Sequence, residues 1–137
     1  MTKYLLTVDY QPGVEATPME EWAPEDIKAH MDYYDALTKE LTASGELVYG
    51  HALTGPDLAK VVTAGNGAPV VTDGPFAEFK EMLAGYTLVD VESEERAIEI
   101  AAQLSRVPAP GGVPIEQPIG VRRVMQDFDF ELLTPEL

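Results

Sequence analysis

An α+β domain is predicted, with one sheet covered by helices on a single face. Three observations lead there. Apolar residues alternate with period two over Lys3–Tyr10 and Glu46–Leu53. Two other segments, 24–44 and 94–104, carry their apolar residues at helical spacing. A Gly65-Asn66-Gly67 turn between short apolar runs marks a hairpin inserted between the two halves.

The first strand, Lys3–Tyr10, places Tyr4, Leu6, Val8 and Tyr10 on one face and Leu5, Thr7 and Asp9 on the other. Residues 11–23 contain Pro12, Gly13 and Pro18 and read as a loop, a candidate lid ending at the chain's single tryptophan, Trp22. That indole is either a packing anchor or a pocket wall. Pro24 suits the first turn of a helix, and Glu25 and Asp26 suit its positive dipole end. Ile27, His30/Met31, Tyr34, Leu37 and Leu41 form the helix stripe, and Gly45 ends it. Glu46–Leu53 is the second strand, with Leu47, Tyr49, His51 and Leu53 sharing a face. Gly55-Pro56 turns the chain into the hairpin, Lys60–Ala64 with Pro69–Thr72. Tyr86–Val91 is the next strand. Ser93 caps a second helix whose stripe is Ala97, Ile98, Ala101 and Leu104. Pro108, Pro110, Pro114 and Pro118 hold an extended loop before the last strand, Ile119–Met125. The chain closes on an acidic arm in which Phe128, Phe130 and Leu132 alternate with charged residues. The order is βα, β plus hairpin, βαβ, which is a ferredoxin-like plan with an insertion.

With 137 residues the chain makes one domain large enough for a real core. Its net charge of −15 repels phosphate backbones and anionic membrane surfaces, so neither nucleic acid nor membrane is an expected partner. Cysteine is absent, which excludes disulfides, thiolate metal sites and cysteine nucleophiles. No apolar run reaches membrane-spanning length, and no signal-peptide pattern opens the chain, so a cytoplasmic location is the expectation. The sheet face without helices carries large residues and needs cover; packing two copies sheet against sheet supplies it, so a homodimer is expected. The C-terminal arm is a candidate for exchange between the copies.

Among chemistry-bearing residues, the two histidines exclude a three-histidine metal centre, and no metal is expected. His30 lies four residues after Asp26, a spacing that allows a carboxylate–imidazole pair; the alternative is a half-buried helix histidine. His51 is an acid or base if its face lines a cleft, and a core histidine if that face lies under the helices. No phosphate-cradling glycine loop and no nucleophile elbow is present, so no nucleotide or other cofactor is expected.

The segment Val71-Thr72-Asp73-Gly74-Pro75-Phe76-Ala77-Glu78-Phe79-Lys80-Glu81 resembles the DGPF branch of the YCII-related proteins. Ala84-Gly85-Tyr86 and Val89-Asp90-Val91 after it fit the same pattern. So do the opening Lys3-Tyr4-Leu5-Leu6 strand, Tyr34 on a helix ending at Gly45, and Val121-Arg122-Arg123-Val124-Met125. The resemblance spans roughly residues 3–126, so the domain is taken as 1–126, leaving 127–137 as the arm. It implies a ferredoxin-like subunit with an inserted β-hairpin, forming a dimeric α+β barrel. It also implies a small-molecule cleft. Asp73, at the end of the hairpin, matches the motif aspartate and is the candidate catalytic base, with Tyr34 and His51 beside it. The family's helix histidine falls on Tyr34, and His30 stands one turn earlier. His30, Tyr86, Arg122, Phe76, Glu78 and Lys80 are the candidate substrate-binding residues. The alternative reading makes Glu78 and Lys80 a solvated turn and Arg122 a structural partner of Asp73. If the protein turns over a substrate, cofactor-free isomerisation, elimination or decarboxylation is expected. The alternative is a non-catalytic regulatory or protein-binding module linked to sigma-factor signalling.

Overall fold

The computed structural model describes residues 1–9, 19–73 and 83–133. Among these residues six strands and three α-helices follow one another as β1 (Thr2–Asp9), α1 (Pro24–Ala43), β2 (Leu47–Ala52), β3 (Lys60–Thr63), β4 (Val70–Asp73), β5 (Leu83–Val91), α2 (Glu94–Ser105), β6 (Ile119–Arg123) and α3 (Asp127–Leu133). Four strands make the main sheet in the order β2-β5-β1-β6, every neighbouring pair antiparallel. That order and the placement of α1 and α2 are ferredoxin-like, as the sequence predicts. β3 and β4 pair only with each other, in a separate two-stranded sheet.

Local chemistry explains the helix limits. Pro24 opens α1 behind Ala23, which offers no side-chain cap. Glu25 and Asp26 fill the first turn instead, where the free N–H groups carry partial positive charge. Gly45 ends the helix at φ +80°, a conformation that costs glycine little. In α2 the Ser93 Oγ accepts from the Arg96 N–H at 3.1 Å, the expected cap.

The core lies between the sheet and the two long helices. Tyr4, Leu6, Val89 and Val91 from the strands meet Leu37 and Leu41 from α1 and Ala97, Ile100, Ala101 and Leu104 from α2. The α2 stripe differs from the sequence expectation at one place. Ile100 is fully buried and Ile98 is half exposed, because the helix turns Ile98 away from the sheet. A bidentate ion pair fastens the start of α2 to the start of β2: Arg96 Nε donates to Glu46 Oε2 and its terminal nitrogen to Oε1, both at 2.8 Å. Each partner reinforces the other's charge, so the Glu46 pKa falls below its ordinary value and that of Arg96 rises.

The face of β2 also differs from the alternation. Leu47 pairs with Val89, but Tyr49 pairs with Leu88, so the register slips at Val48. Leu47 therefore packs against the core while Tyr49 and His51 point to the opposite, open face with Leu88 and Tyr86. On the other side of the sheet Arg122 stands across from Leu5 on that same open face. The C-terminal segment is a short helix rather than an extended run. Arg123 grips Asp129 through two 2.6 Å hydrogen bonds, and this clamp, with the Gln126 N–H, holds the Asp129 pKa down at about 2.

Candidate functional site

A cavity of about 500 Å³ opens between α1 and the β2–β5–β1 part of the sheet. Its roof comes from α1, through His30, Met31, Tyr34 and Thr38. The floor consists of strand positions with little or no side chain: Gly50 and Ala52 on β2, Ala84 and Gly85 on β5. Gly50 is required there by close approach, since a Cβ would stand 2.9 Å from the Tyr86 carbonyl oxygen. Val8, at the end of β1, and Met19, in a 3₁₀ turn at Met19–Glu21, close the walls. Among the described residues no lysine, arginine, aspartate or glutamate lines this space.

His30 is the one buried polar side chain among the described residues. Its Nδ1 lies 2.9 Å from the carbonyl oxygen of Pro108 in the proline-rich loop. A carbonyl only accepts, so Nδ1 carries the proton of the neutral ring and Nε2 carries the lone pair. Two aromatic edges fix the plane of the imidazole: Trp22 at 5.4 Å and Tyr34 at 5.1 Å between ring centroids. Trp22 is itself buried, as a packing anchor against His30. Asp26 does not pair with His30, although the spacing allows it. Its carboxylate instead accepts from the Gly111 N–H at 3.2 Å, so helix and loop are tied at two points. Burial pushes the Tyr34 pKa up, against the opposite pull of its hydrogen bond with the Gln117 side chain. The Tyr34 hydroxyl is therefore neutral throughout the physiological range.

The other predicted residues fall elsewhere. His51 and Tyr86 border the cavity from the strands, but their rings belong to a separate aromatic cluster with Tyr49, at centroid distances of 5.9–6.2 Å. Asp73 stands at the end of β4 and is not among the cavity's lining residues. It forms an exposed ion pair with Lys60, its register partner on β3, rather than with Arg122. Phe76, Glu78 and Lys80 lie outside the described residues, as does most of the candidate lid at 11–23. The structure thus joins His30 with Tyr34 in one cavity, and keeps Asp73 and Arg122 on other surfaces. The sequence gives no sign of the Pro108 contact, which bridges 78 positions. Among the described residues no group of three or more His, Asp or Glu side chains is arranged to hold a metal ion. No helix among them is long and apolar enough to cross a membrane.

The family model for the YCII-related domain matches residues 2–119. This chain belongs to the YCII-related family. A relative in Rhizobium meliloti (strain 1021), described as an uncharacterised protein, is 30% identical over 95 residues. That alignment covers 69% of this chain and 77% of the relative. Membership fixes the kind of domain, and the chemistry has to come from the site. In this YCII-related chain the site offers, from α1, one imidazole of defined tautomer and one neutral phenol, in a mainly apolar cavity that Thr38 and Thr87 also line.

Proposed function

We propose that this YCII-related protein is a homodimer that binds a small, largely apolar molecule in the cavity beneath α1 of each subunit. One observation carries the reading: a buried imidazole with its tautomer set by the Pro108 carbonyl lines a cavity of about 500 Å³. The Pro108 carbonyl and the edges of Trp22 and Tyr34 hold this imidazole in one orientation at the cavity wall. Enclosed, mostly apolar cavities with few convergent polar groups are the usual form of small-molecule sites.

The same geometry supports cofactor-free proton transfer. A C–H or O–H of the ligand gives its proton to His30 Nε2, the imidazolium is held by the Nδ1–H···O bond to Pro108, and the proton returns at a second position on the ligand. Tyr34, neutral by burial, donates to the oxygen on which charge develops. Asp73 pairs with Lys60 and is not among the described residues lining this cavity, so the reading places the base at His30; the Asp73–Phe76 motif suggests the DGPF branch. Asp73→Asn leaves turnover unchanged if His30 acts alone.

The dimer is supported by the open sheet face, where Leu5, Leu88, Tyr86 and Tyr49 stand together and Tyr49 is 50% exposed. Sheet-on-sheet packing of two copies would close a dimeric α+β barrel. A metabolite panel read by thermal shift and by the imidazole NMR signals tests the function. Stabilisation accompanied by a shift at His30 supports it. A panel without a stabilising compound, together with capture of a protein partner, sinks it.

A further inference from the structure

The walls of the cavity narrow the class of ligand. Among the described residues, every lining side chain with a polar atom is uncharged or an imidazole: Tyr34, Thr38, Thr87 and His30, with His51 and Tyr86 turned to the cluster around Tyr49. An anion entering this space meets no lysine or arginine among the described lining residues, and one desolvated without a partner is expelled or neutralised. The net charge of −15 adds a long-range penalty in the same direction. A cation meets no carboxylate among the described lining residues. The ligand is therefore neutral.

The orientation of its polar group follows from the tautomer. Nδ1 is committed to Pro108 as a donor, and Nε2, which has no partner among the described residues, is an acceptor. The group that meets it has to donate. The floor adds a shape. Gly50, Ala52 and Gly85 leave bare strand backbone beneath the imidazole and phenol of α1, which suits a flat ring system lying along the sheet.

We infer that the cavity selects an uncharged, flat, mainly apolar molecule with a hydroxyl group that donates its hydrogen bond to His30 Nε2. This deepens the proposed function and rests on the cavity being a ligand site. The polar end lies under α1 next to Tyr34, and the apolar body lies over Gly50 and Gly85. Removing the hydroxyl proton, or replacing the hydroxyl by a carboxylate, removes the match.

Three probes of nearly equal size test this on the wild-type chain: 2-naphthol, 2-methoxynaphthalene and 2-naphthoate. Titration calorimetry at a pH of about 8, above the ordinary histidine range, compares their affinities. The expected order is 2-naphthol tightest, 2-methoxynaphthalene weaker by about fivefold, the worth of one net hydrogen bond, and 2-naphthoate weaker by tenfold or more. Only 2-naphthol shifts the His30 Nε2 resonance. Equal binding of 2-naphthol and 2-methoxynaphthalene overturns the role of Nε2. Binding of 2-naphthoate as tightly as 2-naphthol overturns the charge selection and leaves the cavity a ligand site. Binding of none of the three overturns both this inference and the reading beneath it.

Discussion

Replacing His30 by leucine tests whether the imidazole is anchored as the geometry describes. Leucine is of similar bulk and keeps the apolar contacts with Trp22 and Tyr34, but it cannot donate to the Pro108 carbonyl. His30 is only 7% exposed, so water cannot fully replace the lost donor. Leaving a part-buried carbonyl unsatisfied costs about 1–3 kcal/mol. For a domain of this length each kcal/mol shifts Tm by about 3–5 °C, so His30→Leu lowers Tm by about 3–15 °C. His30→Gln keeps a donor amide at the same height and recovers part of that loss. Urea unfolding followed by emission of Trp22, the chain's single tryptophan, provides the assay, because the indole lies against the substituted ring. A leucine variant as stable as the wild type, with an unchanged transition slope, refutes the Pro108 anchor and the tautomer that depends on it.

Leu41 is 2% exposed and lines the cavity as well as the core, so Leu41→Ala destabilises by about 2–5 kcal/mol in denaturant unfolding and enlarges the ligand space. The Glu46–Arg96 pair makes stability depend on pH. Arg96 depresses the Glu46 pKa in the folded state, so its contribution is complete above the ordinary carboxylate range and vanishes as the pH falls through the depressed value. Glu46→Gln therefore flattens the acid limb of stability measured by unfolding at successive pH values, and is most damaging near neutrality. Tyr49→Asp places a charge on the open sheet face without touching the core; sedimentation is expected to show monomers where the wild type shows dimers. Asp129→Asn weakens the clamp on Arg123, and hydrogen exchange in α3 accelerates, as it does in the wild type once the pH falls through about 2.

Most of the framework is written in local patterns. The stripe through His30, Leu37 and Leu41, the Ser93 cap and the alternation of Tyr4 and Leu6 each need only a few neighbouring residues to be read. The departures arise where distant contacts decide. One extra residue at Val48 turns Tyr49 and His51 away from the face of Leu47, and a strict period of two has no means of registering it. Ile98 and Ile100 are both acceptable on a helix, and the packing against the sheet buries Ile100. Phe128 and Phe130 alternate like strand residues, but the Arg123–Asp129 clamp and the Gln126 turn favour a helix. In the site, the DGPF motif marks Asp73, whose partner in the fold is its own hairpin neighbour Lys60. His30 gained its significance from Pro108, and a contact across 78 residues has no signature in local sequence.

Long-range ¹H–¹⁵N correlation of the two histidine rings tests the central claim most directly. The expected result is a proton on His30 Nδ1 and a bare Nε2 whose signal moves when 2-naphthol is added, while the His51 signals stay in place. A proton on Nε2 of His30, or a ring indifferent to every probe, would contradict it.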